Sequence, residues 1–169
     1  MSTATVPAPY TTLTNFSNIP PLMKDESFVN GVWGNILAMY FPFPAHVIEP
    51  EKYTAKDNKA DLFVHRIQDG RPMLCYEGKI KGGKDATFDK AIAQAGKYMS
   101  ETGARFGMAG IGSKVVFVVF KGSDLWELKF QSRGGGPVAM REHNPLDILT
   151  DSGAIHNILT YIQQQVSSL

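Results

Sequence analysis

Apolar residues recur at helical spacing in three places along the chain. Val29, Val32, Trp33, Ile36, Leu37 and Tyr40 share one face of a helix, with Asp25 as its cap and Pro42 and Pro44 as its end. Phe88, Ala91, Ile92, Ala95 and Met99 repeat the pattern from Thr87 to about Thr102, with Gly103 as the stop. Ile155, Ile158, Leu159, Ile162 and Val166 do so behind Asp151. Strand patterns lie between these helices. Ala60 to Ile67 and Arg71 to Lys81 flank Gln68-Asp69-Gly70 and predict a β-hairpin. Arg105 to Ala109, Val115 to Phe120 and Leu125 to Gln131 follow as three short strands. The middle one is apolar on both faces, as a buried central strand should be.

The remaining stretches are less patterned. Residues 46–59 read as a connection with a short strand near Tyr53, and residues 133–137 as a loop. Asn144-Pro145 reads as the start of a short helix. Residues 1–24, rich in Pro, Thr and Ser, read as an extended N-terminal arm, ordered where it packs on the body. Residues 25–169 then form a single domain without internal repeats. The expected class is α/β (α+β), with a central mixed sheet of about five strands flanked by helices.

Composition narrows the function classes. Of 169 residues, 43% are hydrophobic and 20% charged, as in ordinary globular domains. Seventeen basic against sixteen acidic residues leave a net charge of +1, so nucleic-acid binding has to rest on a local patch. Cys75 is the one cysteine, which excludes an internal disulfide and points to a reducing compartment. The N-terminus lacks a secretory pattern, and no stretch is long and apolar enough to span a membrane. An intracellular protein, cytoplasmic or nuclear, is the expectation.

Candidate chemistry gathers on the hairpin. In the strand Tyr76-Glu77-Gly78-Lys79-Ile80, alternation places Glu77 and Lys79 on one face. A three-residue loop with Gly70 left-handed pairs Ile67 with Arg71 and sets Asp61 opposite Glu77. A two-residue Asp69-Gly70 turn pairs Asp61 with Gly78 instead. The residues themselves leave both turns open. In the first register two like charges meet, which is unfavourable unless a cation joins them. Carboxylate oxygens suit Mg²⁺ or Mn²⁺, so Asp61, Glu77 and the Gly78 carbonyl are the candidate metal ligands. Lys79 on the same face is placed to stabilise phosphoryl charge. The bland alternative is a solvated hairpin with a Glu–Lys pair, because such short motifs arise often by chance.

Other motifs carry less. Glu127-Leu128-Lys129 repeats the pattern, but the preceding strand offers no acid, so it reads as an exposed ion pair on an edge strand. Gly107 to Gly112 lacks the lysine and helix of a P-loop. The four histidines lack ligand spacing, and Cys75 reads as a buried thiol. Lys79, Lys81, Lys84, Lys90, Lys97 and Arg105 form a basic group diluted by Asp85, Asp89 and Glu101.

With Asp61, Glu77-Gly78-Lys79, and Gln94 and Tyr98 on the following helix, the chain resembles the PD-(D/E)xK, or restriction-endonuclease-like, nuclease superfamily. The likeness covers roughly residues 25–131 and points to the branch with a Gln-x-x-x-Tyr motif. Ala60 stands where that family has Pro, and Glu26 is the one nearby acid on the first helix. The resemblance implies a metal-dependent nuclease acting on DNA, or on RNA. In it Asp61 and Glu77 bind Mg²⁺ or Mn²⁺ and Lys79 assists catalysis. Gln94 and Tyr98 orient the site and contact substrate, with Lys84 and Lys90 as further substrate-binding candidates. It also implies a homodimer, since nucleases of this fold often pair to cut two strands. Near-neutral charge and small size keep a second class in view, a non-catalytic member of the fold that binds nucleic acid or assembles with proteins. A third is an unrelated α/β interaction domain.

Overall fold

One mixed sheet organises the residues that the computed structural model describes, which are 8–53, 59–84, 86–131, 134–139 and 143–167. Its spatial order is β1 (His46–Tyr53), β2 (Lys59–Arg66), β3 (Pro72–Lys79), β4 (Phe106–Ile111), β5 (Lys114–Lys121), β6 (Asp124–Gln131) and β7 (Gly134–Ala139). A two-residue β8 (Leu146–Asp147) adds to β5. Among the described residues only β3 and β4 pair in parallel, from Leu74↔Phe106 to Lys79↔Ile111. A parallel return needs a long crossover, and α2 (Phe88–Thr102) supplies it.

The helices start and stop where side chains satisfy their free ends. The Asp25 carboxylate accepts the Phe28 N–H at 2.8 Å and opens α1 (Glu26–Tyr40). The Thr87 hydroxyl accepts the Lys90 N–H at 3.3 Å and opens α2. Gly103, with φ of 78°, closes α2 in the left-handed conformation that suits glycine.

Two apolar layers result. α1 and α3 (Ser152–Ser167) cover one face of the sheet, with Val29, Trp33, Leu37, Ile158 and Ile162 on Tyr76, Phe106 and Phe117. α2 covers the other, with Ala91, Ala95, Tyr98 and Met99 on Phe63, Cys75, Val116 and Val118. Each of these side chains is fully or almost fully buried. Truncating one of the large ones to Ala should cost roughly 2–5 kcal/mol.

Several elements depart from the sequence expectation. The arm winds through 3₁₀ turns at Pro9–Thr12, Phe16–Asn18 and Pro20–Leu22. Ala8, Tyr10, Phe16 and Met23 bury themselves in the α1–α3 layer, which holds the arm on the body; residues 1–7 lie outside the described residues. The sheet is wider than five strands because β1 and β7 are strands despite their Pro, and in β7 three Gly. β6 is therefore an interior strand, paired with both β5 and β7. The short helix expected at Asn144-Pro145 is absent, and β8 follows directly. β4 continues to Ile111, so its turn falls at Gly112-Ser113.

The hairpin reaches the expected register by another route. Arg66 N–H bonds the Arg71 carbonyl at 3.0 Å, which leaves a four-residue loop rather than three. Gly70 is left-handed, with φ of 69°. A bulge then follows, because His65 pairs with Pro72 while Val64 pairs with Leu74. Met73, the extra residue, joins Leu74 in the same apolar layer. Beyond the bulge Leu62 pairs with Tyr76, and continuing that ladder sets Asp61 opposite Glu77.

Candidate active site

The C-terminal end of β3 carries a buried polar cluster on the α2 face. Cys75, two residues before Glu77, packs in the α2 layer, so alternation turns Glu77 and Lys79 to that side. Glu77 is 1% exposed. Its Oε1 is ion-paired with Lys79 Nζ at 2.5 Å, while its Oε2 is buried with no hydrogen-bond partner. Burial pushes its pKa up to about 7, against the Lys79 hydrogen bond, and the Asp61 and Glu26 charges push the same way. Burial lowers Lys79, but its hydrogen bond to Glu77 and the surrounding carboxylates outweigh this and hold it above the usual lysine value.

Asp61 faces this pair. Its Oδ2 accepts the Gly78 N–H at 2.7 Å, so the side chain takes the place of a backbone ladder partner. Burial raises its pKa, opposed by the Gly78 and Asn30 hydrogen bonds. Within a strand a residue's N–H and C=O point to the same side, which turns the Gly78 carbonyl toward Asp61 as well. Glu26, in the exposed first turn of α1, acts electrostatically on Asp61, Glu77 and Lys79. Sequence reasoning named it as the one acid on the first helix. Asn30, one turn further along α1, was missed because α1 covers the opposite face of the sheet.

The α2 residues fall beside the cluster. Gln94 Nε2 donates to the Tyr98 hydroxyl at 2.5 Å, and that hydroxyl donates to the Lys59 carbonyl at 2.9 Å. This relay ties α2 to the start of β2, two residues before Asp61. Tyr98 is 1% exposed and feels the charges of Glu77, Asp61 and Lys79. The structure therefore brings Asp61, Glu77, Gly78 and Lys79 together, with Tyr98 within electrostatic reach of them and Gln94 bonded to Tyr98. Lys84 and Lys90 stand exposed on the loop after β3 and in the first turn of α2, outside the buried group.

Among the described residues no three His, Cys, Asp or Glu side chains converge to hold a metal by themselves. Two carboxylates and a backbone carbonyl are nonetheless a fitting donor set for Mg²⁺, which keeps several waters and uses one or two protein carboxylates beside substrate phosphates. The partnerless Glu77 Oε2 is the atom that such a cation would satisfy.

The other candidates resolve differently. Glu127 is 3% exposed on an interior strand, not an exposed edge residue. Lys129 Nζ lies 3.2 Å from its Oε2, and the Asn144 backbone also bonds it. Cys75 is fully buried, and its thiol donates to the Ala95 carbonyl at 3.5 Å; burial pushes the thiol far above its usual range. No helix among the described residues is long and apolar enough to cross a membrane.

No family model matches the sequence, and no curated protein matches it. Two solved structures are similar. A chain of the cryo-EM structure of a DrdV–DNA complex matches with a TM-score of 0.55 at 13% identity, over 89% of this chain and 94% of that one. The type IIG restriction endonuclease BpuSI matches at a TM-score of 0.45 and 12% identity, over 96% of this chain and 18% of its own. The mixed sheet, the parallel β3–β4 pair joined by α2, and the likeness to the DrdV chain identify the fold as restriction-endonuclease-like.

Proposed function

We propose that this chain is a metal-dependent nuclease of the PD-(D/E)xK type that hydrolyses phosphodiester bonds in DNA, with a site of the Gln-x-x-x-Tyr kind. The observation that carries this reading is the meeting of Asp61 and Glu77 beside Lys79, with one oxygen of the buried Glu77 lacking a partner. Such an arrangement is costly for stability alone, since a buried unsatisfied carboxylate oxygen loses its hydration. The cost has a purpose if the oxygen serves a ligand.

Bound Mg²⁺ or Mn²⁺ would supply Lewis-acid polarisation of a phosphoryl oxygen and a water of lowered pKa. Asp61, Glu77 and the Gly78 carbonyl would hold the ion. The chain's own work is positional and electrostatic. Asp61 is fixed by the Gly78 N–H, and β2 is fixed by the Gln94–Tyr98–Lys59 relay. Lys79 brings a cation to the same face, where it offsets charge that grows on the phosphoryl group. Lys84 and Lys90, exposed nearby in the chain, are proposed contacts for the phosphate backbone. The DNA complex of the similar DrdV chain supports DNA over RNA as the substrate. Pairing of two copies to cut both strands belongs to the same proposal.

The test is digestion of plasmid and of single-stranded, duplex and branched oligonucleotides with Mg²⁺, Mn²⁺ or EDTA. Metal-dependent cleavage that Glu77→Gln and Lys79→Ala remove supports the reading. Cleavage by neither wild type nor variants on every substrate would sink it and favour the binding or assembly role.

A further inference from the structure

Gly78 has no side chain, and α1 uses the gap. An ideal Cβ there would meet Asn30 Oδ1 and the Tyr76 hydroxyl inside 3.0 Å, closer than real Cβ atoms approach other atoms. Asn30 thus reaches into the sheet from the face opposite α2, at the position between Glu77 and Lys79. It also lies close enough to Asp61 to act on that carboxyl as a hydrogen-bond donor, which lowers its pKa. Its Oδ1 is buried without a partner, so the amide NH₂ is the end that donates to the carboxylate. The Tyr76 hydroxyl, also buried and unpartnered, abuts the same point.

We propose that Asn30 is a positioning residue for Asp61, acting through the opening at Gly78. The inference rests on the nuclease reading above. Two donors then bear on one carboxylate, the Gly78 N–H bonded to it in the strand and the Asn30 NH₂ acting on it from the helix. A single bond leaves a carboxylate free to swing; two from different elements fix the direction in which its other lone pairs point. Groups that orient metal-binding carboxylates typically matter about 10–100-fold in metal affinity or activity. The same geometry favours glycine between Glu77 and Lys79 in this chain, because a Cβ there would force the Asn30 and Tyr76 side chains to shift.

The experiment is a double-mutant cycle on the full chain, read by Mn²⁺ calorimetry. Asn30→Leu keeps the branched outline, with a larger volume, and removes the amide. In the wild-type background it should weaken Mn²⁺ binding about 10–100-fold and lower kcat with KM for duplex DNA unchanged. In the Asp61→Asn background it should change Mn²⁺ affinity less than about twofold, because a residue that acts only through the Asp61 carboxylate has nothing left to orient, and that non-additivity is what coupled sites show. Equal losses in both backgrounds, or none in the wild type, overturn the proposal. If Asn30→Leu does not fold, Asn30→Ala enters the same cycle. A metal-free readout separates this inference from the nuclease reading, and it decides where Asp61→Asn binds no Mn²⁺. The Asn30 side-chain amide resonances should exchange slowly in the wild type and move to free-amide positions in Asp61→Ala. Resonances that ignore Asp61 refute the positioning role whatever the metal does. Resonances that respond, in a wild type that takes up no Mn²⁺, keep the positioning role and remove the nuclease.

Discussion

The sheet carries two Glu-x-Lys strands, and their difference teaches more than either alone. Glu77-Gly78-Lys79 on β3 and Glu127-Leu128-Lys129 on β6 turn their charged residues to the same, α2-facing side. Both glutamates are buried, both are ion-paired with their own lysine, and burial raises the pKa of both. What separates them is the neighbour across the ladder. Glu127 sits opposite Val118, and the Asn144 backbone and Lys129 complete its bonding. Glu77 has Asp61 on the neighbouring strand, and its second oxygen is left over. Two strings that are equivalent in sequence become a closed clamp in one place and an open acceptor in the other.

The largest effect expected from this comparison lies between the two glutamates. Glu77→Gln should reduce Mn²⁺ binding and plasmid cleavage to background, whereas Glu127→Gln should leave both at the wild-type level. Loss of metal binding in Glu127→Gln would break the distinction.

The lysines come next. Lys79→Ala should lower kcat about 10²–10³-fold while calorimetry still detects Mn²⁺. It also leaves the Glu77 charge without its partner, so above pH 7 it should cost stability, roughly 1–3 kcal/mol. Lys79 is only 21% exposed, which is why it should not behave as a free surface lysine. Lys129→Ala should lower Tm with kcat unchanged, since it opens a clamp rather than a site. Paired thermal melts and single-turnover rates check both.

A pH series sharpens the contrast further. Glu77 has its folded-state pKa raised to about 7 from an ordinary value of 4.5. The fold favours its protonated form, so this contribution to metal-free stability is full below about 4.5 and is lost as pH rises through about 7. Metal binding needs the ionised form and should run the other way, with Mn²⁺ affinity rising as pH passes from 6 to 8. Titration calorimetry across that range, beside metal-free melts, tests the opposed slopes. An affinity flat from pH 6 to 8 would mean that Glu77 does not gate the site.

The smallest effect concerns the surroundings of β6. His143 Nε2 lies 2.6 Å from Asp89 Oδ1, and the Asp89 side chain is 85% exposed. Asp89→Asn should change stability by no more than about 1 kcal/mol and cleavage not at all. A larger fall in rate would mean that the first turn of α2 contributes to substrate binding through Asp89.

Local chemistry was readable from the chain to a useful depth. Asp25, Thr87 and Gly103 mark helix ends by the bonds they make, and those bonds depend on neighbours three or four residues away. The pairing of Asp61 with Glu77 is one of two registers that the residues leave open, and the structure reaches it through a four-residue loop and a bulge that counting does not foresee. What failed depends on distant partners. β7, reading GGGPVA, is a strand because β6 offers it a ladder, not because its residues favour one. Tyr10 and Phe16 look like an arm until the α1–α3 layer supplies a surface to bury them. Asn30 looks like a polar position on an amphipathic helix, and its role depends on a glycine 48 residues away having no Cβ.

The bulge at Met73 has a consequence for how this hairpin tolerates change in length. It separates two registers, one at the tip and one at the carboxylates, that differ by a single residue. Removing the bulged residue would leave Val64 against Leu74 and Asp61 across from Glu77, because the strand would merely straighten. Tip and site are geared through a slack link. A one-residue change in length at residues 67–73 should therefore be absorbed without turning either acid to the wrong side of the sheet. A one-residue deletion between Leu74 and Glu77 has no such slack and would invert the face on which Glu77 and Lys79 stand.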